Sequence, residues 1–314
     1  MPKVSVIIPT YNRATLLPAA VESVLRQSFQ DFEIIVVDDA SQDGTLDVIR
    51  TFTDRRIHHI RHDAHKGQGV SRNAGIRNAF GEYIAFLDDD DEWLPEKLEK
   101  QVFLLDSSPP KVGMVYTGFR EIAASTKEVI AEVIPERRGY LFEQMCIRNW
   151  IGTCSTVLLR RSCFENTGLF DEGLASGADY DLWLRVSKEF DIEYILEPLV
   201  LYTVHAHRIS TNRESLIRGM EAQLKKNAAI FSTSTKSYSQ RYLFLGVHYC
   251  YLGDLRKGRE AFAKAIRLYP FEIRYYYNLC LSLLGVDTFR KMKDFRDNRL
   301  SKRKFESGRR PINQ

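Results

Sequence analysis

A chain of 314 residues, 44% hydrophobic and 27% charged, has the make-up of a folded globular protein and the length for one large domain with an appendage, or for two domains. Its five cysteines (Cys146, Cys154, Cys163, Cys250 and Cys280) are odd in number and form no Cys-x-x-Cys pair, which argues against a disulfide framework and a zinc site and points to a reducing cytoplasm. No basic-then-apolar leader follows Met1, no run reaches the ~18 apolar residues of a membrane span, and the net charge of +4 hides a basic tail, ten Lys/Arg against three Asp/Glu from Phe289 onward.

In chain order, Lys3 to Pro9 is a nearly continuous β-branched run, the pattern of a parallel strand buried on both faces. Thr10-Tyr11-Asn12-Arg13 follows as a loop, and Leu17, Val21, Val24 and Leu25 at helical spacing predict a helix from about Leu16 to Gln27. Phe32 to Val37 reads as a second buried strand ended by Asp38-Asp39, and Ser41 to Thr45 as a loop entering a helix that runs to about Thr51. A short strand at Ile57 to Arg61, a helix at Val70 to Ala79, a strand at Tyr83 to Leu87 and a helix opened by Pro95 and running to about Asp106 complete a β-α-β-α-β-α-β series. That order predicts an α/β fold with a doubly wound, mostly parallel sheet, whose ligands bind beyond the carboxyl ends of the strands. After Pro110 the pattern loosens into strands at Val112 to Tyr116, Lys127 to Ile134, Ser155 to Leu159, Ile192 to Ile195 and Val200 to Val204, with one helix around Asp179 to Lys188.

The strand at Tyr83 to Leu87 runs into four consecutive aspartates, Asp88 to Asp91. Two like charges ~5 Å apart repel by roughly 3 kcal/mol at an effective dielectric near 20. Such a cluster is costly unless a cation sits among the carboxylates, and hard oxygen ligands suit Mg²⁺ or Mn²⁺ holding substrate phosphates. Strand alternation would put Asp88 and Asp90 on one face and Asp89 and Asp91 on the other, two for the metal and substrate and two for structure. Thr10-Tyr11-Asn12 and Asp38-Asp39 reach the same sheet edge. No Gly-x-Gly-x-x-Gly follows the first strand and no Gly-x-x-x-x-Gly-Lys-Ser/Thr loop occurs, which argues against a dinucleotide-binding domain and a P-loop NTPase.

Val4 to Arg13, Ile35 to Thr45, Ser71-Arg72-Asn73-Ala74-Gly75, Phe86 to Asp91, Gly168 to Glu172, Asp179 to Arg185 and Tyr202-Thr203-Val204-His205 together resemble a family 2 glycosyltransferase of the GT-A fold, over roughly residues 3 to 207 and in the expected order. The resemblance implies that Pro9, Thr10 and Tyr11 line the nucleotide pocket and that Asp39 bonds the base, typically uracil. It implies that Asp90 is the best metal ligand, with Asp88 or Asp89 reaching the ribose or the metal, and that Arg72 approaches the diphosphate or helps shape the sugar pocket. Asp179 falls at the catalytic base, and His205 near or on the metal. One position departs: the residue before the base is commonly acidic in the family and here is Ala178.

These residues fit inverting transfer of a sugar from a nucleotide diphosphate, UDP above all, to a hydroxyl of a glycan or lipid-linked acceptor, with polysaccharide as the product. Two rival readings are a glycoside hydrolase, which needs two separated carboxylates, and a non-catalytic interaction module. Asp179 and Asp181 also compete as simple caps of the helix that follows.

Beyond His207 the composition changes. Tyr249 to Asp254, Ala261 to Pro270 and Tyr277 to Leu284 resemble a single tetratricopeptide-like hairpin plus a further helix, too few repeats for a free-standing solenoid. The expected division is a catalytic domain over 1–207, a helical linker over 208–235, the hairpin region over 236–288 and a basic tail over 289–314. The tail, with Phe295, Leu300 and Phe305 among its Lys and Arg, suits an anionic membrane surface on the cytoplasmic side; no nucleic-acid-binding motif accompanies it.

Overall fold

The computed structural model of the chain describes residues 1–174, 176–205, 213–232 and 234–295. Its first third follows the expected winding. Strand β1 (Val4–Thr10) is followed by α1 (Leu17–Leu25), β2 (Phe32–Asp38), α2 (Thr45–Thr51), β3 (Ile57–Arg61), α3 (Gln68–Asn78) and β4 (Tyr83–Phe86). β1 pairs in parallel with both β2 and β4, and β3 adds to the outer edge of β2. The chain therefore winds outward from β1 through β3 and then returns to the other side of β1. This reversal leaves a crevice beyond the carboxyl ends of β1 and β4, where open α/β sheets bind ligands.

Burial on both faces explains the β-branched runs. Val4, Val6 and Ile8 of β1 face one core with Leu17, Val21 and Val24 of α1, while Ile7 faces the other with Ile76 of α3. A Cβ at Gly75 would collide with Ile7, so glycine is what lets α3 lie this close to β1.

The second half is mixed. After β5 (Glu92–Trp93) and α4 (Lys97–Ser107) come β6 (Val112–Ala123), β7 (Val129–Val133), α5 (Phe142–Ile147), a 3₁₀ turn at Cys154–Thr156, β8 (Val157–Arg160), α6 (Ser162–Thr167), α7 (Ala178–Glu189) and β9 (Asp191–Val204). The sheet order is β3-β2-β1-β4-β8-β6-β9-β5, with β7 on β6. β8 joins antiparallel to β4, and β6 antiparallel to β8.

The strands expected at Ile192 to Ile195 and Val200 to Val204 are one continuous strand. Its Glu197-Pro198 break is absorbed by a register shift opposite Gly118, and β6 runs on to Ala123 beside it. Ser155, expected in a strand, lies in the 3₁₀ turn. The six-residue helices α5 and α6 are too short to show a helical period in sequence, and none was expected there.

The C-terminal helices are α8 (Arg213–Lys226), α9 (Ala228–Ser232), α10 (Thr235–Leu252), α11 (Leu255–Leu268) and α12 (Ile273–Leu283), with a further helical stretch over 286–295. α8 to α10 complete one face of the sheet core through Ile217, Leu224, Phe231, Leu245 and Tyr249. Buried Arg241 of α10 donates to the backbone oxygens of Cys146 (3.2 Å) and Met145 (3.3 Å), fastening α10 to α5. α10 and α11 form the hairpin, turned at Gly253 (φ 95°) and capped by Asp254, which accepts from Lys257 N (3.0 Å). Among the described residues, no helix is long and apolar enough to cross a membrane. Of the basic tail, 289–295 is described and 296–314 lies outside the described residues.

Candidate active site

Two interlocked loops form one wall of the crevice. Asp38, at the end of β2, is fully buried and accepts from Ser41 N (2.9 Å) and from Arg61 (2.8 Å), so its carboxylate shapes the loop. Asn12 N donates to Ser41 Oγ (2.9 Å) and Gln42 N to Asn12 Oδ1 (2.7 Å), which ties the loop after β1 to the loop after β2. Asn12 (φ 53°) and Ala40 (φ 65°) sit in the left-handed region to make these turns.

Asp39 is also buried, and its neighbours Ala40, Gln42, Arg61, His62 and His65 line an open cleft with Tyr11. Its Oδ1 receives His62 Nδ1 (2.8 Å) and Lys66 N (2.9 Å); its Oδ2 receives Gly67 N (2.7 Å) and faces His65 Nδ1 (2.8 Å). Burial works against the Asp39 charge, yet the bonds from His62, Lys66 and Gly67 hold its pKa below the usual carboxylate value. The half-exposed His65 ring also stacks on Tyr11, centroids 4.0 Å apart. Of the three residues expected to line a nucleotide pocket, Tyr11 faces this cleft. Pro9 is buried in β1 opposite Val37, and Thr10 is buried with its hydroxyl in no hydrogen bond.

The four aspartates form a turn beyond β4, closed by Asp91 N donating to Asp88 O (3.0 Å), and do not continue the strand. Strand alternation therefore does not set their directions; partners do. Asp91 is fully buried and accepts from Ser155 Oγ (2.7 Å) and Thr203 N (3.1 Å), and Asp88 N in turn donates to Ser155 Oγ (3.1 Å). Ser155 thus pins both ends of the turn. Asp90 meets His205 Nε2 at 2.7 Å, and Asp88 meets Arg72 at 2.6 Å. Asp89 is buried beside the other acids, and burial, with Asp90 and Asp88 adding, pushes its carboxyl up to about 7 against the attraction of Arg13.

Arg72 joins the acidic turn to α7. It is 6% exposed, lies over the Phe170 ring (5.5 Å), and its Nε is buried without a hydrogen-bond partner. Asp179 lies within its electrostatic reach, in the first turn of α7 behind the N-cap Gly177, and so is not the cap. Burial raises the Asp179 carboxyl to about 6, with Arg72 opposing and Asp88 adding. Asp181 is instead a buried brace, bonded to Arg185 (3.0 Å), Lys226 (2.9 Å) and Asn227 (3.1 Å).

The bracing from α8 was not anticipated from sequence. Lys226 bridges Asp181 and Asp171 (2.6 Å), and Gln223 donates to Gly177 O (2.9 Å). Gly177 has φ 73°, and a Cβ there would strike the Gln223 amide. Helix α8 therefore fixes the entry of the helix that carries Asp179. Trp150 is half-buried between Arg148 (3.5 Å) and Arg137 (4.9 Å), a packing arrangement.

A divalent cation fits the donor set of the acidic turn. Asp90 and His205 offer carboxylate oxygen and imidazole nitrogen at one point, with Asp88 two residues before Asp90 in the same turn. Among the described residues no three His, Cys, Asp or Glu side chains converge as a group that could hold a metal ion by themselves.

The family model for glycosyl transferase family 2 matches residues 5–167. An uncharacterized glycosyltransferase of Rickettsia prowazekii is 34% identical over 65% of this chain and 65% of its own length. The Escherichia coli UDP-Glc:alpha-D-GlcNAc-diphosphoundecaprenol beta-1,3-glucosyltransferase WfaP is 34% identical over 69% of this chain and 84% of its own. Among solved structures, TarS 1-349 of S. aureus in complex with UDP-GlcNAc superposes with a TM-score of 0.62 at 18% identity, covering 94% of this chain and 92% of that one. The mannosyltransferase PcManGT of Pyrobaculum calidifontis, in complex with GDP-Man and Mn²⁺, superposes at 0.59 and 18% identity, covering 92% and 86%. At those identities the two structures establish the shared fold.

Proposed function

This chain belongs to glycosyl transferase family 2 and is a glycosyltransferase; on that premise we propose that it moves a sugar, with inversion, from UDP to a hydroxyl of a lipid-linked glycan during polysaccharide synthesis. The reading is supported by three pairings on the segments that follow β1, β2 and β4: Asp39 with the His65 that stacks on Tyr11, Asp90 with His205, and Arg72 between Asp88 and Asp179.

In this reading the base enters beside Tyr11, and its N–H takes the place of the His65 imidazole on Asp39. His65 is the most exposed of the Asp39 partners and the one free to leave. Asp90, His205 and Asp88 would hold a divalent cation, Mn²⁺ or Mg²⁺, which would supply Lewis-acid neutralisation of the diphosphate. Arg72, fixed by Asp88 and by the Phe170 ring, shares that negative charge as the bond to the anomeric carbon breaks.

Asp179 takes the proton of the acceptor hydroxyl as its oxygen forms the new bond. A carboxyl poised near 6 is ionised at neutral pH yet basic enough to accept that proton. One base and one direct displacement invert the anomeric centre. Support for a UDP donor and a lipid diphosphate-linked acceptor comes from the E. coli relative's named substrates and from the UDP-GlcNAc held by the S. aureus neighbour; support for the metal comes from the Mn²⁺ of the archaeal neighbour.

Calorimetric titration of UDP with and without Mn²⁺ tests the core of the proposal. The native protein is expected to bind UDP more tightly with Mn²⁺, and Asp90→Ala to lose that dependence. An Asp90→Ala protein with unchanged Mn²⁺-dependent affinity would refute the assignment.

A further inference from the structure

We propose that the outward face of α12, with the turn before it and the helical stretch after it, docks on an anionic lipid bilayer. One face of α12 is buried: Tyr275, Asn278, Leu281 and Ser282 pack against the hairpin. The opposite face is apolar as well. Ile273 is 77% exposed, Tyr276 39% and Leu283 62%, with exposed Cys280 between them, a spacing of three to four residues that makes one continuous stripe. Phe271 (86%) extends it at one end and Leu284 (62%) at the other. Single exposed apolar residues are ordinary on a surface; a contiguous helical stripe is not, and it marks an interaction site.

Charge selects the occupant. Residues 213–314 hold 22 Lys/Arg against 9 Asp/Glu, a net +13, whereas residues 1–212 hold 23 against 32, a net −9. The stripe therefore lies within the positive part of a dipolar chain. A second copy in a two-fold pair would set this face against itself and bring the like charges together. Residues 296–314 cannot supply a matching apolar cover, since they hold seven Lys/Arg and only Leu300, Phe305 and Ile312 as large apolar residues. An anionic bilayer answers both features. Its interface accepts Leu, Ile, Phe and Tyr side chains, and its surface potential attracts the Lys and Arg of the same C-terminal segment. The proposal does not depend on the donor assignment above, although it would bring a lipid-linked acceptor to the enzyme's own surface.

Co-sedimentation of the full chain with phosphatidylglycerol-containing vesicles and with phosphatidylcholine vesicles tests it. The native protein is expected to sediment with the anionic vesicles, less so at high salt, and not with the neutral ones. The variant Ile273→Gln/Leu283→Gln/Leu284→Gln is expected to lose at least about tenfold in partitioning, because each residue forfeits an apolar contact, while its unfolding temperature and its UDP binding stay native. A polarity-sensitive fluorophore on Cys280, the one exposed cysteine, is expected to shift to shorter wavelength on anionic vesicles; this readout stands even if the triple variant fails to fold. Absence of sedimentation, equal partitioning of the variant, an unmoved fluorophore, or a native dimer that the variant dissociates would overturn the proposal, the last by giving the face to a second copy.

Discussion

Asp179→Asn offers the sharpest test of the active-site reading, because stability and catalysis should move in opposite directions. The Asp179 carboxyl is raised from an ordinary 3.8 to about 6 by burial, with Arg72 pulling it down and Asp88 pushing it up. A group whose folded pKa lies above its unfolded value favours the folded state fully at pH below 3.8, and that contribution is lost as pH rises through about 6. The full shift corresponds to roughly 3 kcal/mol. Since the side chain is only partly buried in the surface sense, solvent screening reduces this to about 1–2 kcal/mol. Asparagine never ionises, so the variant avoids that burden. Urea unfolding at pH 8 should find Asp179→Asn more stable than the native protein by about 1–2 kcal/mol, with the gap closing as the pH falls through 6 and gone near pH 4. In the same preparation kcat should fall by about a hundredfold or more, with UDP affinity unchanged, and the native rate should rise with pH through about 6. A variant that is less stable at pH 8, or whose stability gap is the same at pH 8 and pH 4, would refute the argument from burial. Near-native turnover would remove Asp179 as the base.

Two further substitutions probe the walls of the crevice. His65→Ala frees the Asp39 oxygen and the Tyr11 face that the base is proposed to use; since a competing closed state taxes apparent affinity, UDP should bind up to about tenfold more tightly by calorimetry, and weaker binding would show that His65 contacts the nucleotide instead. Ser155→Ala unlinks the two ends of the acidic turn and leaves Asp91 and the Asp88 N–H short of a buried partner. It should cost about 1–3 kcal/mol in denaturant unfolding and weaken Mn²⁺-dependent UDP binding; a variant native in both would show that the turn holds its shape without the hydroxyl.

Much of this was legible before any coordinates. The runs at Val4 to Pro9 and Phe32 to Val37 could be buried only on both faces, which demanded helices on each side and a parallel sheet. Polar clusters after three of its strands then had to share one edge, because parallel strands deliver their carboxyl ends together. The resemblance singled out Asp39, Arg72, Asp90, Asp179 and His205; in the structure Asp90 meets His205, Arg72 meets Asp88, and Asp179 lies within electrostatic reach of Arg72.

The structure alone decided which partner each acid meets. The residue pattern of Asp88 to Asp91 suggested a strand alternation, and the resemblance put Asp90 first as metal ligand. The chain turns there instead, and direction is set by partners 16 to 115 residues away: Ser155 for Asp91, Arg72 for Asp88 and His205 for Asp90. The bracing of α7 by Lys226 and Gln223 and the bare apolar stripe of α12 were equally invisible, since a helical period reveals which residues share a face but not whether another element covers it. Local pattern determined the elements and the edge at which they meet, because backbone hydrogen bonding and apolar periodicity are short-range. The charge state and orientation of each carboxylate, and the exposure of α12, belonged to the tertiary structure, because burial and ion pairing are settled by whichever distant segments come to rest beside them.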